Sequence, residues 1–161
     1  MPSEAAPPTK RSETANKKPS GQVQQFSIFL RNRAGAFLDV VKLLAEHHVH
    51  VLATSIESSS DTAIVRIVVS DPESVEGVFH LHSIPHAVSP LIVVELKEAD
   101  QLVEILTSLL AAEVNIFGSY ALLTRPNGHA ALALHLEDPE CGSSVLKTAG
   151  FSLLDQSDVS R

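Results

Sequence analysis

The chain has 161 residues, enough for one ordinary domain or two very small ones, and a 44% hydrophobic content typical of a globular core. Its formal net charge of -7 argues against a nucleic-acid role, which needs a basic footprint to neutralise phosphates. The single cysteine, Cys141, excludes an internal disulfide and a thiolate metal cluster, and no uninterrupted apolar run is long enough to span a bilayer.

Residues 1–22 hold almost no large apolar groups and are rich in Pro, Ser, Thr, Lys and Ala, so they read as a disordered leader. They lack the apolar central run of a secretory signal peptide, which predicts a soluble cytoplasmic protein. The leader carries Lys10, Arg11, Lys17 and Lys18 against Glu4 and Glu13, so the remainder is more acidic than the whole.

Beyond the leader, Phe37, Val40, Val41 and Leu44 have the spacing of one buried helical stripe. A short polar turn and a strand follow in "EHHVHVLATSIE", and the serine-rich "ESSSD" reads as a hairpin turn. Ala63, Val65, Ile67 and Val69 alternate as a half-buried strand requires. Then comes Asp71-Pro72-Glu73: an N-cap acceptor, a residue suited to the first helical position, and a carboxylate that favours the positive helix end. The segment "IPHAVSPLIVVEL" carries a final strand of this set directly into the next.

The same order then repeats. Leu102, Ile105, Leu106 and Leu109 give a second helical stripe, and Val114-Asn115-Ile116 matches Val49-His50-Val51 at the same offset. Ala130, Leu132, Leu134 and Leu136 repeat the alternating strand, with two extra residues absorbed in the hairpin "LTRPNGHA". Asp138-Pro139-Glu140 repeats the helix start, and "GFSLLDQSDV" supplies the closing strand. Each unit reads strand, helix, strand, strand, helix, strand. The expected fold is α+β: two tandem ferredoxin-like βαββαβ units, each a four-stranded antiparallel sheet with both helices on one face. The units are expected over 24–89 and 90–159. The outer faces of the third strands (Ile64, Arg66, Val68; His129, Ala131, Ala133, His135) are only partly polar, which predicts that the units pair within the chain and with a second chain.

The stretch "FLRNRAGAFLDVVKLLAEHHVHVLATSIE" resembles the ACT-domain family, and "LVEILTSLLAAEVNIFGSYALL" resembles it more weakly. The resemblance covers nearly all of the chain after the leader and is greatest to small stand-alone proteins built from two ACT domains. It implies a non-catalytic, amino-acid-binding regulatory protein, a homodimer serving a partner metabolic enzyme. The alternative is an assembly scaffold or regulatory subunit of an amino-acid biosynthetic enzyme, without a ligand of its own.

The resemblance also implies a site between two neighbouring units. One side is the turn Asn32, Arg33, Ala34, Gly35, Ala36 and Phe37, where Gly35 admits close backbone approach and the helix start can hold a carboxylate. The other is the second strand, with His50 and Val51 in the first unit and Asn115 and Ile116 in the second. Because Asp100 stands where the first unit has Gly35, the expected site joins the Asn32 turn to Asn115, within one chain or between two. The bland alternative is that Gly35 only makes the turn and Asn115 solvates a strand end.

Neither catalysis nor a cofactor is expected: no phosphate-binding glycine loop, nucleophile elbow or zincin motif is present. The histidines of "HLHSIPH" (His80, His82, His86) lack a completing ligand and His80 and His82 point apart on a helix, so no metal is expected either.

Overall fold

The computed structural model describes residues 21–161, so residues 1–20 of the expected leader lie outside the described residues. The first sheet contains β1 (Gln24–Arg31), β2 (Val51–Ser58), β3 (Thr62–Val69) and β4 (His86–Pro90), in the order β2-β3-β1-β4. Helices α1 (Ala36–Glu46) and α2 (Pro72–Leu81) pack on one face, where Phe26, Ile28, Leu44, Ile67, Val75 and Phe79 form the core. The second sheet repeats this plan with β5 (Ile92–Leu96), β6 (Ile116–Ala121), β7 (Ala130–Leu136) and β8 (Leu153–Leu154), in the order β6-β7-β5-β8. Its helices are α3 (Gln101–Ala111) and α4 (Pro139–Thr148), over a core that includes Val94, Ile105, Leu109, Leu134 and Leu146. All strand pairs are antiparallel.

The repeat extends to backbone detail. Both Asp-Pro-Glu segments start helices: Asp71 accepts from the Ser74 amide at 3.1 Å and Asp138 from the Cys141 amide at 2.9 Å, each with proline in the first turn. The Ser74 hydroxyl and amide hold the Asp71 carboxyl below its usual pKa. His48 and Glu113 both adopt left-handed backbone (φ 59° and 56°) as the chain leaves α1 and α3. Both second strands then carry a bulge, at Val51/Ala53 and at Ile116/Gly118. The first bulge turns two successive residues, Leu52 and Ala53, into the interior.

Two expectations differ from the structure. The closing strand is only Leu153–Leu154, because Asp155 begins a short helix, α5 (Gln156–Val159), through a reciprocal capping box with Asp158. On α3, only Ile105 and Leu109 of the expected stripe are buried, while Leu102 and Leu106 remain exposed. The apolar arc of α3 is wider than the sheet and α4 can cover.

The two sheets pack face to face, with the helices outside. Leu52, Ala53 and Val68 from the first sheet meet Val93, Ala131, Ala133 and Leu154 from the second, with Val23, Leu91 and Val159 closing the cluster. Polar contacts fix the register: the Tyr120 hydroxyl donates to Gln25 Oε1 at 2.8 Å, and the Leu123 amide to the Leu52 carbonyl at 2.7 Å. Burial pushes the Tyr120 phenol pKa up, as expected for a hydroxyl kept neutral between sheets. Helix α5 bridges both halves. Gln156 Nε2 donates to the Val69 carbonyl at 2.9 Å, the Ser160 hydroxyl to the Ser70 carbonyl at 2.8 Å, and Val159 is fully buried between the sheets. Among the described residues, no helix is long and apolar enough to cross a membrane.

Divergence between the repeats is compensated in the second core. Val69 and Val75 of the first unit correspond to Leu136 and Gly142 of the second, and a Cβ at Gly142 would collide with Leu136 Cδ1. Helix propensity favours Gly142→Ala by ~1 kcal/mol, but overpacking opposes it by roughly 1–3 kcal/mol. The expected outcome is that Gly142→Ala and Leu136→Val each destabilise in urea unfolding, by ~1 kcal/mol. The double variant should be no less stable than either single one, a coupling that a double-mutant cycle reads directly.

At the rim of the sheet interface, burial and then the Arg66 guanidinium hold the His135 pKa below its ordinary 6.5. The neutral ring is therefore favoured in the fold, and its contribution is lost as pH falls through the unfolded-state value. The thermal midpoint should drop more for the wild type than for His135→Gln between about pH 7 and about pH 5, and parallel curves would remove this assignment.

Candidate functional site

The β1–α1 turn is built by its side chains as much as by its backbone. Gly35 occupies the N-cap position of α1 with φ 83°, a left-handed conformation that carries little cost only without a Cβ. Asn32 ties the turn to the β2–β3 hairpin: its Nδ2 donates to the Ser59 carbonyl at 2.7 Å and its amide to the Asp61 carbonyl at 3.0 Å. Arg33 folds over the helix start, pairing with Asp39 at 2.8 Å and reaching the Ala34 carbonyl at 3.3 Å. Asn32, Arg33, Ala34 and Gly35 are all exposed; Ala36 and Phe37 are half-buried.

Beneath this turn lies an open cavity of about 410 Å³ with an apolar floor from Leu30, Phe37, Leu38, Ile56, Ala63 and Val65. Asn32, Arg33 and Gly35 stand at its polar margin. The expected residues Asn32, Arg33, Gly35, Ala36 and Phe37 thus come together around one opening. Every residue lining it belongs to the first unit, so His50, Val51, Asn115 and Ile116 are not part of it.

Those four sit at the opposite ends of the second strands. His50 exchanges backbone bonds with Ser70: its amide donates to Ser70 Oγ and its carbonyl accepts from the Ser70 amide, both at 2.9 Å. Asn115 is exposed, and its carbonyl accepts from the Glu137 amide at 2.9 Å. The neighbouring opening is lined by Glu113, Glu137, Asp138 and Glu140, a carboxylate-rich wall.

The second unit's turn differs from the first in a way the sequence comparison overlooked. Asp100 takes the N-cap position with an ordinary φ of -69° and makes no side-chain cap. Instead Gln101 Oε1 accepts from the Lys97 amide at 2.8 Å and the Glu98 amide at 3.2 Å. The second turn therefore fills its own donors with its own side chain. The corresponding helix start in the first unit carries Ala36, and there the equivalent amides of Asn32 and Arg33 donate instead to the Asp61 and Arg31 carbonyls at 3.0 Å and 2.9 Å. The readable signal was a glutamine within one helical turn of two loop amides. Ile56, Ala63 and Val65 of the cavity floor also went unassigned, because alternating apolar residues in a strand read equally as core.

The histidines of "HLHSIPH" are dispersed. His80 and His82 are exposed at the end of α2, while the His86 ring lies against Phe26 and Phe79 with Nδ1 bonded to the Ile84 carbonyl at 2.8 Å. Among the described residues, no group of three or more His, Cys, Asp or Glu is placed to hold a metal ion.

Comparison with known proteins follows this geometry. Residues 21–161 match the sequence family described as an ACT domain pair. No curated protein sequence matches significantly. Among solved structures, protein BT0572 from Bacteroides thetaiotaomicron superposes with a TM-score of 0.79 at 25% identity, over 88% of this chain and 98% of that one. The regulatory subunit of aspartate kinase from Thermus thermophilus gives 0.55 at 12% identity, over 81% and 91%. Its counterpart from Thermus flavus gives 0.51 at 15% identity, over 81% and 93%. These last two likenesses concern the fold. With a match that runs from just before the first strand through α5, and two sheets of the same topology, the chain belongs to the ACT-domain family as a tandem pair of ACT domains.

Proposed function

We propose that the protein is a non-catalytic regulatory protein of the cytoplasm that captures an amino acid at the Asn32–Phe37 turn and transmits its presence to a partner metabolic enzyme. The observation that carries this reading is the cavity over which the first turn opens, with Asn32, Arg33 and Gly35 at its polar margin. In the first turn, Asn32 and Gly35 are exposed, and an amide oxygen and a helix start are groups suited to an ammonium and a carboxylate respectively. The cavity is lined by one unit, so the Asn115 strand that completes the site comes from a second copy of the chain, making the protein a homodimer. Ligand spanning two copies stabilises one relative orientation, and a partner enzyme reads that orientation. The fold likeness to proteins described as regulatory subunits of aspartate kinase is consistent with such a role.

A ligand-free scaffold is the second reading, favoured by the exposed apolar face of α3. Thermal-shift screening against the common amino acids separates the two. A true ligand at a hundredfold excess over its dissociation constant adds about 2.7 kcal/mol of stability, and a scaffold gains none. In calorimetric titration, Gly35→Asp should weaken binding at least tenfold, by adding both a Cβ at positive φ and a charge that repels a carboxylate. Asn115→Ala should weaken it by a smaller factor, and unchanged binding in both variants would overturn the assigned site.

A further inference from the structure

The floor of the cavity beneath the β1–α1 turn is wetter than a core and more apolar than an ordinary surface. Leu38 of α1 and Ile56 of β2 both line it while remaining 54% and 55% exposed, and Leu30, Phe37, Ala63 and Val65 line it with them. The polar margin is supplied by the turn itself, through Asn32 and Arg33. No carboxylate lines the opening, whereas Arg31 and Arg33 both do.

The fold does not demand Leu38 and Ile56. The second unit has Val103 where the first has Leu38, and Ala121 where it has Ile56; Ala121 pairs with Leu132 across the sheet as Ile56 pairs with Val65. The same architecture thus forms with smaller side chains at both positions, and the first unit's buried core closes without either. Large apolar groups left wet in a concave opening, with polar groups along one margin, have the make-up of a small-molecule site. At about 410 Å³ the cavity lies near the small end of the roughly 300–1,000 Å³ such sites span, a size for one amino acid.

We infer that the site selects amino acids with a large apolar side chain, and that Leu38 and Ile56 are the residues that set this preference. The inference rests on the proposed capture of an amino acid at this turn and adds which class is captured. With the ligand's charged ends held at the turn, its side chain lies on the floor and takes Leu38 and Ile56 out of water, a gain proportional to the apolar area covered. A cationic side chain meets two arginines and no counter-charge, so it is rejected. An acidic side chain would set a second carboxylate on six apolar residues that offer it no donor, which costs its hydration without return. The margin suits the α-carboxylate instead. Arg33 already holds one carboxylate, that of Asp39 at 2.8 Å, in a pair whose partners are both 60% exposed. An exposed pair of this kind is weak, so a ligand carboxylate replaces Asp39 at small cost.

The test is calorimetric titration of the full chain with L-leucine, L-isoleucine, L-phenylalanine, L-alanine, L-serine, L-glutamate and L-lysine. A fully buried methylene is worth about fourfold in affinity, so L-leucine should bind at least tenfold tighter than L-alanine even with its side chain part wet. L-Serine, L-glutamate and L-lysine should bind more weakly still. Because Ile56 is exposed, Ile56→Ala and Ile56→Glu should leave far-ultraviolet dichroism unchanged. Ile56→Ala should weaken L-leucine about tenfold by removing floor area. Ile56→Glu should supply the missing counter-charge and raise L-lysine relative to L-leucine at least tenfold. Leu81→Ala, at an exposed leucine on α2 outside the cavity, should change neither. Wild-type binding of L-serine, L-glutamate or L-lysine as tight as that of L-leucine would overturn this inference while leaving amino-acid capture standing. So would an order of affinities that neither Ile56 variant moves. Failure of all seven to bind would overturn both.

Discussion

The packing of one sheet's bare face on the other's is the contact from which the rest of the molecule follows. A βαββαβ unit buries only the helix-covered side of its sheet, and units this small have thin cores. Here the second face of each sheet is closed by its duplicate, through Leu52, Ala53 and Val68 on one side and Val93, Ala131 and Ala133 on the other. The contact explains why the two bulges matter, why Tyr120 and Gln25 can be satisfied away from water, and why α5 folds back. It also commits both sheet faces, leaving helices, turns and edges as the surfaces available for function.

Once the sheets are paired, the two copies still differ at their turns and helices. At the first turn a glycine in left-handed conformation is followed by alanine, and at the second an aspartate in right-handed conformation is followed by a glutamine that reaches back to two amides. The helices also differ, with leucine in place of alanine at the end of α3. Neither difference disturbs the fold, because capping, bulges and core volume are preserved or compensated, as Leu136 and Gly142 show.

The architecture was readable because periodicity and punctuation agreed. Helical stripes, alternating strands and the two Asp-Pro-Glu starts all specify one order, and each confirmed the register of the other copy. The partly apolar outer faces were enough to anticipate that the sheets would pair. What escaped was whatever depends on coverage rather than pattern. Leu102 and Leu106 have the spacing of core residues, and spacing does not reveal that the sheet stops short of them. Asp155 and Asp158 were hidden because a four-residue helix has no period to detect. At the candidate site, Gly35 and Asn32 were assigned through the resemblance to the ACT-domain family, and the floor of the cavity was left out, since Ile56, Ala63 and Val65 look like any strand interior.

Helix α5 has a further implication, for the order in which the molecule forms. Each sheet with its helices is assembled from neighbouring elements, but the bonds from Gln156 to Val69 and from Ser160 to Ser70 span 87 and 90 residues. Closing such loops carries an entropic cost that grows with length and is recovered only after both ends are shaped. Docking of the halves is therefore the late step of folding, and before it each half presents an apolar sheet face to water. Synthesis exposes the first half in that state until the second has emerged, so the interval between the two is when the chain is most open to pairing with the wrong neighbour.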